Sequence, residues 1–447
     1  MGEAIAAIAS PLGTGAISTI RVSGDDSWNI VQSTLKKPIT SPKPRKIYMN
    51  TIRDEKGDID QVLLAFYKSP KSYTGENMVE IFCHGGYVVT SLVLQTILKA
   101  GARQAKPGEF TRRAFLNGKM DLSEAEAVRD LIEAKSSAEV RAFVKGIEGK
   151  IREFVEGVRE DLIEILAEIE VELDYPEEIE VDRERIGEKV KRILLKMGKV
   201  LERAKYSVRV SHGIKVAIVG KPNVGKSTLL NRLLREERAI VTPIPGTTRD
   251  VISEDIVIFG RHFKLSDTAG FRKTEDHVEI IGVERAKREI ERADLVLMLI
   301  DATDGFTEQD REILEEIGEK PRIIIINKTD LKDIEVPEQL KDEVVVKISA
   351  LNGEGMKNLE KKMVEITQEM VDSLKAEVVL TSQRQKELVQ AAYENLIEVR
   401  NAFEQGFPTD VAAINIREAL KNLDEITGRN FTEDLLDSIF SNFCVGK

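Results

Sequence analysis

Apolar residues recur with two different periods along the chain, and each change of period marks a domain. Runs bounded by Gly and Pro predict strands at Ile17–Val22, Val62–Tyr67 and Met78–Phe82. A helix is expected at Val88–Lys99, carrying Val89, Leu92, Val93 and Leu98. Residues 1–118 therefore read as a mixed α/β domain. Beyond Leu122 the period lengthens. Phe154, Val158, Leu162, Ile165, Leu166 and Ile169 form one helical stripe, and Ile186, Val190, Ile193, Leu194, Met197 and Leu201 form another. Ser123 and Glu126 have the spacing of a capping box, and Pro176 stops the first long helix. Strand-like runs return at Val216–Val219, Phe263–Leu265, Ile323–Ile326 and Val344–Ile348. Helical spacing resumes at Leu388, Ala391, Ala392, Leu396 and Val399, then over Ala412–Leu423 and Phe431–Phe440. Each helical flank alone has few faces against which to bury its stripe. One bundle, split into 119–213 and 372–447 by an α/β domain at 214–371, serves both flanks.

The inserted domain carries recognisable chemistry. Gly220-Lys221-Pro222-Asn223-Val224-Gly225-Lys226-Ser227 follows a strand and opens a helix, which is the setting the G-x-x-x-x-G-K-[ST] pattern needs. Backbone N–H groups of such a loop, with the helix N-terminus, build a concave anion site. Asn223, Val224, Gly225, Lys226, Ser227 and Thr228 are its expected nucleotide contacts, with Lys226 on the outer phosphates and Ser227 on Mg²⁺. In Asp267-Thr268-Ala269-Gly270 the carboxylate can hold the Mg²⁺ water shell, and Gly270 lets an N–H approach the γ-phosphate. Thr248, beside Thr247 in the segment Gly246–Asp250, can complete that shell. Asn327-Lys328-Thr329-Asp330 chooses the base: Asp330 accepts from both N1–H and N2–H of guanine, a donor pair that adenine lacks. Ser349-Ala350-Leu351 offers a backbone N–H to the guanine O6. These segments stand in the order of a Ras-like GTP-hydrolysing domain. Phe271 occupies the position of the usual water-orienting Gln, so that group must come from the polar loop 272–279 or from a partner.

Composition narrows the setting. A chain of 447 residues exceeds one core, and 42% hydrophobic with 32% charged residues describes a globular protein. No apolar run approaches membrane-spanning length and no signal peptide precedes Pro11, so no membrane span and a cytoplasmic location are expected. Two cysteines, Cys83 and Cys444, give no disulfide framework. The net charge of −11 argues against a broad basic surface gripping RNA.

Three N-terminal segments cluster polar side chains beside glycines, as ligand loops and ordinary turns both do. They are Ser72–Glu76, Glu80–Gly86 and Lys106–Thr111. The chain ends Phe443-Cys444-Val445-Gly446-Lys447, where a cysteine is either bland packing or an accessible nucleophile.

Taken end to end, the chain resembles the MnmE (TrmE) family of tRNA-modification GTPases. The resemblance rests on domain order, the Phe443–Lys447 ending, Pro107–Thr111 with Arg113–Lys119, and Gly220-Lys221-Pro222-Asn223. It implies an N-terminal α/β domain at 1–118 that binds a reduced folate (methylene- or formyl-tetrahydrofolate) and forms the homodimer. It implies a helical domain split by a P-loop GTPase domain whose K⁺-stimulated hydrolysis drives G-domain dimerisation. A heterotetramer with the FAD enzyme MnmG (GidA) is implied as well. Together the pair would place a carboxymethylaminomethyl or aminomethyl group on C5 of wobble uridine in tRNA. By the same resemblance Arg21, Glu80, Lys119 and Lys447 fall on folate contacts. Asn223, Thr242, Ile244 and Thr247 fall on the K⁺ site, Glu279 on the water-orienting glutamate, and Cys444 on the cysteine required for modification. A ribosome-assembly GTPase is disfavoured, since no second G domain or basic RNA-binding module is present. A septin-like assembly protein would leave the cysteine tail and the glycine-rich N-terminal loops unexplained.

Overall fold

The computed structural model describes residues 3–178, 180–236, 253–267 and 287–447. They belong to two compact units, Met1–Arg129 with Lys421–Lys447, and Asp130–Leu420.

The first unit is built on a six-stranded sheet in the order β3-β4-β5-β2-β1-β6. Its strands are β1 (Ile5–Ile8), β2 (Ile17–Ser23), β3 (Ile47–Asp54), β4 (Gly57–Tyr67), β5 (Met78–His84) and β6 (Arg103–Gln104). Period-2 alternation sorts their side chains onto two faces. Ala6, Ile20, Val22, Leu64, Phe66, Val79, Ile81 and Cys83 face helices α1 (Ser27–Ser33) and α2 (Tyr87–Lys99), which add Val31, Val93 and Ile97 to the core. The residues between them point the other way. Ile5, Ala7 and Ala105 pack there with Phe110 of helix α3 (Glu109–Leu116), and Arg21 and Glu80 sit opposite each other in the β2–β5 register.

Helix α4 (Leu122–Glu133) opens two residues earlier than a Ser123 cap allows. The capping box is Asp121 with Glu124: Asp121 Oδ1 accepts from Glu124 N at 2.7 Å, and Glu124 Oε2 accepts from Asp121 N at 2.8 Å. The Ser123 hydroxyl donates to the same Asp121 carboxylate, so it supports the cap rather than supplying it.

In the second unit the sequence stripes are the buried faces of two long helices, α6 (Lys150–Asp174) and α7 (Arg183–Val210). They are preceded by α5 (Ser137–Ile147). The second sheet runs β12-β11-β10-β7-β9-β8, parallel except for the β8–β9 hairpin. Its strands are β7 (Ile214–Gly220), β8 (Ser253–Ile258), β9 (Arg261–Asp267), β10 (Leu295–Asp301), β11 (Arg322–Asn327) and β12 (Val345–Lys347). The central strands β10 and β11 are buried on both faces, as an apolar run such as Leu295–Ile300 requires. Helices α8 (Lys226–Glu236), α9 (Glu308–Ile317) and α10 (Met356–Ile366) flank the sheet, followed by α11 (Gln368–Asp372), α12 (Gln383–Glu404) and α13 (Thr409–Thr427). The last helix, α14 (Glu433–Phe440), belongs to the first unit.

A buried charge cluster fastens the β8–β9 hairpin to the start of α5. His262 lies between Glu139 Oε1 at 3.0 Å and Asp255 Oδ1 at 2.7 Å, and Lys135 contacts the other oxygen of Asp255. Burial alone would lower the His262 pKa, but the hydrogen bonds to Asp255 and Glu139 and their charges outweigh it, and the net shift is upward. Burial likewise works against ionised Asp255, and bonds from His262 and Lys135 overcome it, holding its pKa at about 2. A raised histidine contributes stability that is complete below its unfolded pKa of about 6.5 and is lost as pH rises through the folded value. Thermal unfolding of the wild type and His262→Gln should therefore differ most in mildly acidic buffer, with the gap closing as pH rises. A gap independent of pH would exclude a charged His262.

Candidate functional site

The phosphate loop is shaped by close approach of backbones. β7 ends at Gly220 with φ +143°, where a Cβ would lie 2.5 Å from the Leu299 carbonyl of β10. Gly225 has φ +103°, and a Cβ there would lie 2.3 Å from the Asn327 amide nitrogen. Both positions therefore need glycine. Between them the exposed Asn223 takes φ +62°, a left-handed conformation that Asn tolerates better than most residues. Val224 is buried beneath the loop, and Ser227 and Thr228 stand exposed in the first turn of α8. Lys226 Nζ donates to the carbonyls of Gly220 and Lys221, each at 2.7 Å, so the ammonium is held against the loop itself. Lys221 points the other way. Its Nζ is 3.0 Å from Thr307 Oγ1 and 3.1 Å from Oδ2 of Asp310, a fully buried carboxylate in the first turn of α9.

The base-recognition segments meet the phosphate loop through Asn327. Its amide donates to the Val224 carbonyl at 2.8 Å and its oxygen accepts from Ala350 N at 3.0 Å. One buried side chain at the end of β11 thus ties Gly220–Ser227 to Ser349–Leu351. Lys328, at φ +66°, pairs with Asp301 at 2.6 Å, while Asp330 is exposed just beyond. Ser349 is buried and Leu351 exposed, with Arg232 of α8 donating to the carbonyls of Ala350 and Leu351. All these residues gather at the carboxyl ends of parallel strands, the edge at which open α/β sheets bind ligands. Asp267 ends β9 beside Ile218 of β7, so its backbone reaches that edge too. Thr242, Ile244, Thr247, Thr248, Thr268, Ala269, Gly270, Phe271 and Glu279 lie outside the described residues, as does the side chain of Asp267.

A second site opens on the first unit. A cavity of about 310 Å³ is lined by Arg45, Tyr67, Lys71, Ser72, Tyr73, Met78, Glu80 and Lys119. On its inner side Arg21 Nη2 lies 2.9 Å from Glu80 Oε1, and the Tyr67 hydroxyl donates to Glu80 Oε2 at 3.1 Å. Burial raises the Tyr67 pKa, and the Glu80 charge raises it further. The Arg21 guanidinium stacks 4.9 Å from the Tyr73 ring centroid and 5.7 Å from that of Phe110. Its Nη1 is buried and has no hydrogen-bond partner. A buried guanidinium N–H left without an acceptor is costly in a finished fold and ordinary in a site that awaits one. Lys119 Nζ donates to the Pro70 carbonyl at 3.1 Å.

The tail joins this pocket. Pro107 pairs with Val445, and Phe110 N donates to the Lys447 carbonyl at 3.2 Å. Gly446 takes φ +98° with a virtual Cβ 2.2 Å from the Ile8 carbonyl, so no larger residue fits there. Lys447 is half-buried: burial lowers its pKa first, the Arg21 charge lowers it further, and Glu80 and Cys444 partly restore it. Arg21, Glu80 and Lys447 are thus within electrostatic reach of one another, and Lys119 shares the cavity with Glu80. The Cys444 thiol is exposed. Arg45, Tyr67 and Lys71 were not foreseen at this site; Tyr73 lies in the flagged segment Ser72–Glu76, whose glycine and ionisable groups were the available signal.

Comparison with known proteins covers the whole length. A family model described as "MnmE helical domain" matches residues 122–444, and one described as "GTP-binding protein TrmE N-terminus" matches residues 4–119. The tRNA modification GTPase MnmE of Thermotoga maritima is 51% identical over 453 residues, covering 100% of both chains. The protein of the same name from Pseudothermotoga lettingae is 47% identical over 453 residues, again covering 100% of both. That of Lactiplantibacillus plantarum is 41% identical over 456 residues, covering 100% of this chain and 98% of the other.

Proposed function

The chain belongs to the MnmE family of tRNA-modification GTPases, and from that premise we propose that it is the GTP-hydrolysing half of a complex that modifies C5 of wobble uridine in tRNA. The observation that carries the reading is one chain holding both an Asn327-bridged nucleotide edge and a pocket whose buried Arg21 donor lacks an acceptor. Residues 1–118 bind the folate and form the homodimer, 119–213 and 372–447 make the split helical domain, and 214–371 is the G domain. MnmG (GidA) is the FAD partner in a heterotetramer, tRNA is the substrate, and the site of action is the cytoplasm.

Within the G domain Lys226 offsets charge on the outer phosphates, backbone N–H groups of Asn223–Thr228 cradle them, and Asp330 reads guanine. Ser227 and Thr248 hold Mg²⁺, with Asp267 acting through its water shell. Asn223, Thr242, Ile244 and Thr247 hold K⁺, which supplies positive charge where other GTPases use an arginine finger. Glu279 orients the attacking water that Phe271 cannot. In the first unit Arg21, Glu80, Lys119 and Lys447 hold the reduced folate. A pterin presents donors that suit Glu80, and the folate's acceptors suit the unmatched Arg21 N–H. The folate supplies the one-carbon unit, the amine comes from glycine or ammonium, and Cys444 is the thiol at that site.

Single-turnover hydrolysis should be much slower in Na⁺ than in K⁺. Glu279→Ala should keep nucleotide affinity while losing about 10²-fold or more in the chemical step. Equal rates in the two salts would remove the cation from the mechanism. Mass spectrometry of wobble uridine in cells lacking the protein tests the reading as a whole: unmodified C5 is expected, and intact modification refutes it.

A further inference from the structure

We propose that the pocket on the first unit selects reduced folates bearing a chain of γ-linked glutamates over the monoglutamate, and that Arg45, Lys71 and Lys119 read that chain. This rests on the folate reading above and goes beyond it by naming which form of the ligand is bound.

Three observations carry it. The cavity, at about 310 Å³, is at the small end of ligand pockets. That is room for the fused rings around Glu80 and Tyr73, so the remainder of a folate must leave through the mouth. The charges of the lining are also unequal. Arg45, Lys71 and Lys119 are cations, and the one carboxylate among the lining residues is Glu80, already paired with Arg21 at 2.9 Å. Neither Arg45 nor Lys71 has a carboxylate partner among the described residues, and Lys119 donates only to a carbonyl. The lining therefore carries three cations against a single carboxylate that is already committed to Arg21. The third observation is backbone strain. Arg45 takes φ +61°, unfavourable for a residue of its size, and is kept there by its N–H donating to the Phe66 carbonyl at 2.7 Å. From that turn Arg45 lines the same cavity as Tyr67.

A monoglutamate ends in an α- and a γ-carboxylate. Each added γ-linked residue contributes one more carboxylate at a regular interval along an extended chain. Three cations on long side chains around one exit therefore have more charge than a monoglutamate can use, and a tri- or longer glutamate matches them. Such contacts are solvent-exposed, individually modest and strongly screened by salt.

Calorimetry on the full-length protein with 5-formyltetrahydrofolate as mono- and triglutamate decides the matter. At low ionic strength the triglutamate should bind about tenfold or more tightly than the monoglutamate, with the ratio shrinking toward unity at high salt. Lys71→Ala and Arg45→Asn, the latter chosen because Asn tolerates the left-handed conformation, should each cut triglutamate affinity more than monoglutamate affinity. Lys71→Glu should push the ratio toward or below one. If the monoglutamate binds and the triglutamate binds no better, tail selection is wrong and the folate reading stands. If neither form binds, the folate reading falls and this inference with it.

Discussion

An Asp330→Asn protein should bind GTP about 10²-fold or more weakly than the wild type and should gain affinity for xanthosine triphosphate. The size follows from recognition by paired hydrogen bonds. The carboxylate accepts from two guanine donors at once, and an amide keeps one acceptor while turning an N–H toward a guanine N–H. Xanthine carries a carbonyl where guanine carries its amino group, so the same amide complements it. Nothing else in the loop should change. Asn327 anchors the segment to Val224 and Ala350, Thr329 N donates to the Ile348 carbonyl at 3.2 Å, and Leu331 N donates to that of Lys328 at 3.0 Å. Asp330 itself is exposed, so the exchange leaves no cavity and no buried orphan. Melting temperature should match the wild type while the two nucleotide affinities move in opposite directions. Unaltered GTP affinity would mean that this loop does not hold the base.

The parts of the fold that could be read from the sequence are those encoded within a few residues. Gly220, Asn223 and Gly225 announce a phosphate loop because spacing alone dictates where positive φ and close backbone approach are needed. The stripes on α6 and α7 are local in the same sense. The tie between the phosphate and base loops is not, because Asn327 reaches Val224 across 103 positions of sequence. Alternation puts Arg21 and Glu80 on polar faces of their strands, but their pairing depends on the β2–β5 register, which no local pattern specifies. Strand β3 escaped because its alternation is poor: Ile47 and Met49 are exposed, and Ile52 is the buried residue. Ser123 and Glu126 have capping-box spacing, but Asp121, two residues earlier, offers the same chemistry and caps α4. The tail is held by the Pro107–Val445 pairing and the Gly446 approach to Ile8, contacts more than three hundred positions apart in sequence that no local pattern announces.

That docked tail sharpens what Cys444→Ser should do. GTP hydrolysis should equal the wild type, and wobble-uridine modification should fall by about 10³-fold or more, as loss of an essential nucleophile does. The Cys444 carbonyl accepts from Gly108 N at 3.5 Å and from Lys447 N at 3.3 Å, and Phe443 before it is buried. A fixed backbone therefore presents the exposed thiol, and serine would present its hydroxyl from the same place. Shape and docking survive the exchange, whereas sulfur nucleophilicity does not, since a hydroxyl ionises far less readily than a thiol. Lys447 is a built-in control. Its half-buried ammonium senses Cys444, Glu80 and Arg21, so Lys447→Met should weaken folate binding and modification together, while Cys444→Ser should leave folate affinity near wild type and remove modification alone. The phosphate loop belongs to the other compact unit. Reduced-folate calorimetry, phosphate release and mass spectrometry of wobble uridine separate the three readouts. Modification at a normal rate by Cys444→Ser would leave the thiol as a packing residue and move the covalent chemistry elsewhere.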